Sequence, residues 1–151
     1  MKKTTLALAL ILCFGSLHAE EAKKGVTALS PEVRGLLSQE MLHIEKGMQQ
    51  IFSNIVKGEY ESIAKTAEDI QNSFIFKKKL TDAQRAELKA NLPKSFIVTD
   101  RAFHELSGKL AMAAEYGDKA TVQQYFSEMT QTCVKCHSTY ATQRFPAFTE
   151  E

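Results

Sequence analysis

The chain has no tryptophan, and only three prolines and seven glycines in 151 residues. Such scarcity, with no internal repeat and no low-complexity tract, excludes collagen-like, linker-like and disordered architectures. It also lacks an excess of either charge: 19 Lys and Arg stand against 18 Asp and Glu. That balance argues against nucleic acid as a partner, because domains that bind it are strongly basic. No segment alternates with strand periodicity. No apolar run beyond residue 19 is long enough to span a membrane. Cysteine is equally scarce, at positions 13, 133 and 136 alone.

The N-terminus reads as an export signal. Met1-Lys2-Lys3 is a short basic start, Leu6 to Phe14 is apolar, and Gly15-Ser16-Leu17-His18-Ala19 is a small-residue exit. The pattern predicts a secretory signal peptide over residues 1–19, cleaved after Ala19 and too short to serve as a span. Cys13 as a lipid anchor is disfavoured by the bulky Leu12 before it. Export predicts a periplasmic protein that is not membrane-embedded. Residues 20–29 read as a loose, charged lead-in, and 30–151 as one domain with one core. Loss of Lys2 and Lys3 reduces the 19 basic residues to 17 against 18 acidic ones. It also leaves Cys133 and Cys136 as the only cysteines.

Those two sit in Cys133-Val-Lys-Cys136-His137. Two thiols three residues apart, followed at once by a histidine, form the attachment signature of a c-type haem. The thiols add across two vinyl groups, so they must lie about one helical turn apart on one face. The next residue can then turn its imidazole to the iron as proximal ligand. Three other readings compete. A thioredoxin-like site wants its CxxC after a strand in a βαβ unit. A zinc site wants two further ligands at finger-like spacing, and His18, His43 and His104 are scattered. A local disulfide between the two cysteines leaves His137 unexplained.

The rest reads as helix. Ser30 is a candidate N-cap and Pro31 suits the first helical position. Leu37, Met41, Ile44, Met48, Ile51 and Ile55 recur at alternating spacings of four and three, the stripe of a helix facing a bundle core, as far as Gly58. Ile63, Ala67, Ile70 and Phe74 continue the rhythm in a second helix. After Lys77-Lys78-Lys79, Thr81 and Gln84 form a possible capping box for a short connecting helix that ends at Asn91-Leu92-Pro93. A third long helix carries Phe96, Phe103, Leu106, Leu110 and Ala113 to about Gly117. A fourth carries Val122, Phe126, Met129, Cys133, Cys136 and Tyr140, bounded by Pro146. Four such stripes predict an all-α, antiparallel up-down four-helix bundle.

Four helices with one CxxCH near the end of the last resemble the class II c-type cytochromes, the cytochrome c′ superfamily, over about residues 30–146. Up-down bundles are already known for cytochrome c′. Tyr140, three residues after His137, resembles the family's aromatic after CxxCH, although Ala141 stands where a basic residue often follows. The resemblance implies one covalent haem c near the C-terminal end of the last helix, held by Cys133 and Cys136 with His137 on the iron. It implies one of two functions. Members with an apolar residue at the sixth iron position bind small gases such as nitric oxide or carbon monoxide. Members with a methionine there carry electrons. The methionine-ligated branch is expected here, with a periplasmic or membrane-bound redox protein as partner, and a homodimer is compatible. A peroxidase would want a distal His/Arg pair, and only His104 with Arg101 suggests one.

Helix geometry nominates the sixth ligand. In an up-down bundle the start of the first helix lies beside the end of the last. Counted back from Phe145, His137 lies roughly 12 Å from that end, and Met41 lies roughly 15 Å past Pro31. Met48 would lie roughly 10 Å deeper. Met41 is therefore the candidate, with an ordinary core methionine as the alternative. His43 would point roughly 200° away. His104 reads either as a haem-propionate partner, less readily as an iron ligand, or as a half-exposed structural histidine. Phe74, Phe76, Phe96 and Phe103 are expected to wall the haem pocket with Tyr140, though phenylalanines at this spacing are also plain core. Lys77, Lys78, Lys79, Lys94, Lys135 and Arg144 should gather at the haem end. Helix C-termini favour cations there, and a basic ring would also attract an acidic partner.

Overall fold

The computed structural model describes residues 25–77 and 80–149. The expected signal peptide, Lys78 and Lys79 lie outside them. The described residues contain five α-helices and no strand: α1 (Pro31–Lys57), α2 (Tyr60–Asn72), α3 (Asp82–Asn91), α4 (Lys94–Glu115) and α5 (Lys119–Tyr140). Four of them pack in chain order, α1 on α2, α2 on α4 and α4 on α5, and α1 meets α5 more sparsely. This is the four-helix bundle, with α3 as a short connector.

Local chemistry sets the ends. The hydroxyl of Ser30 accepts from Val33 N–H at 3.3 Å, and Pro31 fills the first helical position, where a missing N–H costs nothing. The backbone N–H and the hydroxyl of Ser30 both donate to the Glu87 carboxylate, which clips α3 to the start of α1. Gly58 closes α1 at φ +74°, a conformation that favours glycine. Thr81 and Gln84 form the capping box of α3.

Two hydrophobic clusters fill the bundle. The longer holds Ile44, Ile51, Ile63, Ile70, Phe103, Leu110, Val122 and Met129, among others. The shorter gathers Leu29, Val33, Leu37, Ile75, Leu88, Leu92 and Phe96 under α3. Leu29, at the end of the lead-in, is buried there. Each buried branched side chain contributes about 1.5–3 kcal/mol over leaving it exposed.

Two expectations change. On α1 the buried set is Val33, Leu37, Glu40, Ile44, Gly47 and Ile51, whereas Met41, Met48 and Ile55 are half-buried on its flank. The inward face is thus turned by one residue at two of its levels. The last helix stops at Tyr140 rather than running on towards Pro146. Pro146 disfavours helical dihedrals at Phe145, and the N–H groups of Arg144 and Phe145 both return to the carbonyl of Ala141, at 2.9 and 3.0 Å.

Candidate functional site

Cys133 and Cys136 lie in the last two turns of α5. Both are free and partly buried. Burial raises the pKa of each thiol. At Cys136 the neighbouring Asp100 and Cys133 raise it further, against Lys135, to about 11. Both are therefore neutral thiols near pH 7. His137 follows in the final turn. Its ring stacks on Phe145, with centroids 4.3 Å apart and planes 19° from parallel. Burial lowers its pKa, Arg144 lowers it further, and Glu45 across on α1 opposes them. The imidazole is thus held neutral, with a lone pair free, as an iron ligand must be. Tyr140 meets Phe96 edge-on at 5.3 Å.

The level of this segment is marked on the other helices. On α5, Cys133 packs against the longer cluster and Tyr140 against the shorter, so the break falls between these two residues. On α1 the break falls between Leu37 and Ile44, and on α4 between Phe96 and Phe103. Among the described residues, Met41 alone packs against both clusters. Met48 packs against the longer one only. His43 is exposed. Because α5 ends at Tyr140, His137 is about 4.5 Å from the end of its helix rather than 12 Å.

The same level carries three buried polar residues. Glu40 is 0% exposed, His104 2% and Asp100 6%. His104 is therefore not half-exposed, and its ring is enclosed by Phe74 and Phe103, with centroids 5.2 and 5.5 Å away. Those two phenylalanines flank the His104 imidazole. Nδ1 of His104 lies 2.6 Å from the carbonyl oxygen of Ile70. A carbonyl only accepts, so Nδ1 carries the proton. Nε2 faces Glu40 Oε1 at 3.4 Å and Asp100 Oδ1 at 3.8 Å. Burial, and then the charge of Glu40, push the Asp100 carboxyl up to about 7 against the pull of His104. Sequence reasoning missed Glu40 and Asp100. The signal was a carboxylate on each core stripe, at the four-three positions between Leu37 and Ile44 and between Phe96 and Phe103.

A surface hollow of about 630 Å³ between α2 and the α4–α5 turn lies at the opposite end of the bundle, and neither cysteine nor histidine lines it. No described helix is long and apolar enough to cross a membrane.

Two neutral thiols one turn apart and an adjacent neutral imidazole are a donor set that suits covalent haem. The comparisons agree. The family model described as Cytochrome C' matches residues 35–141. No curated protein and no solved structure matches the chain. The chain belongs to the cytochrome c′ family. Its members carry one covalent haem c, are not enzymes and are typically periplasmic. Cys133 and Cys136 fit the CxxCH motif.

Proposed function

From membership of the cytochrome c′ family, we propose that this chain is a periplasmic mono-haem electron carrier. In this reading Cys133 and Cys136 hold the haem through thioether bonds, His137 is the proximal iron ligand and Met41 the distal one. The haem supplies a reversible one-electron change at iron. His137 and Met41 would hold the iron, and the surrounding side chains would set the local charge and burial that tune the potential. Phe96 and Tyr140 shield one side of the segment from water. Phe145 fixes the plane of His137 through their stacking, and Arg144 lies over the Phe145 ring, 5.9 Å from its centroid. The apolar wall lowers the local dielectric, which strengthens every charge effect on the iron.

One observation carries the choice of an electron carrier over a gas binder: Met41 is shared by the two clusters, whose boundary on α5 falls between Cys133 and Tyr140. A thioether at that level keeps the sixth position filled. The test is the absorption spectrum of the reduced, haem-loaded protein with and without carbon monoxide. Wild type should be low-spin and slow to take up carbon monoxide. Met41→Ala should be high-spin and bind it quickly. Met48→Ala should lose about 2–5 kcal/mol of stability to a cavity yet remain low-spin. A high-spin wild type would make the protein a gas binder, and a low-spin, methionine-ligated Met41→Ala would move the ligand to Met48.

A further inference from the structure

Glu40, Asp100 and His104 meet across the diagonal of the bundle, Glu40 from α1 and the other two from one face of α4. Four of their polar atoms are fully buried with no hydrogen-bond partner: both carboxylate oxygens of Glu40, Oδ2 of Asp100 and Nε2 of His104. Leaving such groups unpaired in a dry interior destabilises the fold, more so when they are charged. With Nδ1 bonded to the Ile70 carbonyl, Nε2 of His104 is turned towards two carboxylates. Three potential ligand atoms then converge in a dry interior.

We propose that Glu40, Asp100 and His104 form a binding site for one divalent transition-metal ion of the zinc class, with ligands distinct from those proposed for the haem.

The spacing fits a metal better than a proton. A proton on Nε2 would draw a carboxylate oxygen to about 2.7–2.9 Å, but the separations are 3.4 and 3.8 Å, with Nε2 shared between two acceptors. Ligands at about 2.0–2.1 Å from a tetrahedral ion lie about 3.3–3.4 Å from one another. One donor atom from each of the three residues lies within 4.8 Å of the other two. One imidazole nitrogen and two carboxylates suit zinc and its first-row neighbours, leaving a fourth position for water. A charge of +2 also neutralises the two carboxylates. A metal-bound histidine normally donates its other N–H to a carbonyl or carboxylate, and the Ile70 carbonyl fills that place. Phe74 and Phe103 keep the imidazole from turning. With all three donors buried, the ion would fasten α1 to α4 rather than process a substrate.

The test uses the full haem-loaded chain, stripped with a chelator, given zinc, passed through a desalting column and assayed for metal per haem. About one zinc per chain should be retained, and the melting temperature should rise with free zinc, because an ion that binds only the folded state stabilises it. Glu40→Gln and Asp100→Asn keep the shape and remove a charge. Each should weaken retention at least tenfold, since even the partners that orient a ligand are worth about 10–100-fold. His43→Ala should change nothing. Zinc-edge X-ray absorption of the wild-type protein should show one imidazole among oxygen ligands, and it decides the matter even if both variants fail to fold. No retained zinc overturns the proposal. So does full retention in both variants, or a zinc shell containing sulfur or several imidazoles.

Discussion

Nδ1 of His104 donates to the carbonyl oxygen of Ile70 across 2.6 Å, joining α4 to the last turn of α2. A helix leaves its last four carbonyls without intrahelical partners, so the imidazole serves as a C-terminal cap supplied by another helix. The hydroxyl of Ser73 donates to the same oxygen at 2.9 Å. His104→Ala would remove the stronger donor and leave Glu40 and Asp100 facing each other in a dry interior. Truncating one partner of a buried ionic group costs about 3–5 kcal/mol. Urea unfolding of the haem-loaded protein should show a loss of that size, and a loss below about 1 kcal/mol would mean that the cap has no structural weight.

Two glycines of α1 should respond in opposite senses to alanine. A Cβ on Gly35 meets nothing within 4 Å, so Gly35→Ala should stabilise the helix by about 0.5–1 kcal/mol. A Cβ on Gly47 would stand 2.7 Å from the Cδ1 of Ile70, which is fully buried and has no room to turn. Gly47→Ala should therefore cost about 1–3 kcal/mol through overpacking. Thermal melts of the two variants side by side provide the check, and equal shifts would contradict the close approach of α1 to α2.

Asp118 gives the start of α5 a measurable pH dependence. Its carboxylate accepts from the Thr121 hydroxyl at 2.6 Å and the Thr121 N–H at 3.1 Å. Those bonds hold its pKa below the ordinary carboxylate range, the side-chain bond contributing most. A depressed pKa means stabilisation that is present above the usual value and lost as pH falls through the lowered one. Wild type should melt a few degrees above Asp118→Ala near neutral pH, and the gap should close as pH falls below the ordinary carboxylate range. A gap that persists in acid would assign the effect to something other than the carboxylate.

The basic residues bear on partner choice. Lys77, Lys94, Lys135 and Arg144 are exposed at the end of the bundle that carries the CxxCH. If they steer an acidic redox protein, the bimolecular rate of reduction by that donor should fall as salt rises, because screening shortens the reach of their field. Replacing Lys77, Lys78 and Lys79 with glutamine should flatten the slope. An unchanged slope would leave these lysines with a helix-end role alone.

How much of this was legible in the sequence depends on how local the chemistry is. Cys133, Cys136 and His137 were legible because the motif is contiguous and its spacing is the chemistry. Helix positions were legible because caps and stripes are short-range, as Ser30, Thr81 and Gly58 show. The α1 stripe was read through Met41 and Met48, whereas Glu40 and Gly47 are the buried neighbours. A hydrophobic pattern passes over an acid and a glycine even when both face the core, since only the partner helix determines that they fit. His104 drew notice as a histidine, but its partners come from α1 and α2, and that geometry is tertiary. The end of α5 was placed too late because Pro146 announces a boundary without saying how many residues before it the chain turns.

The contact between α2 and α4 has a kinetic meaning of its own. The two helices share the most extensive packing in the bundle. Two side chains of α4 reach backbone carbonyls of α2: Ser107 donates to Ala67 at 2.7 Å, and His104 to Ile70. Gly108 lets the Gln71 side chain come closer than any larger residue would allow. To open locally, either helix must break these bonds and expose apolar surface at once, whereas the final turns of α5 expose little. Amide exchange should therefore sort the bundle into a slow spine and a faster rim. Protons in the middle of α2 and α4 would leave only with global unfolding, while those of the turn that carries His137 would leave first. The segment that carries the CxxCH would then belong to the faster rim of a rigid frame, free to breathe without loosening the rest.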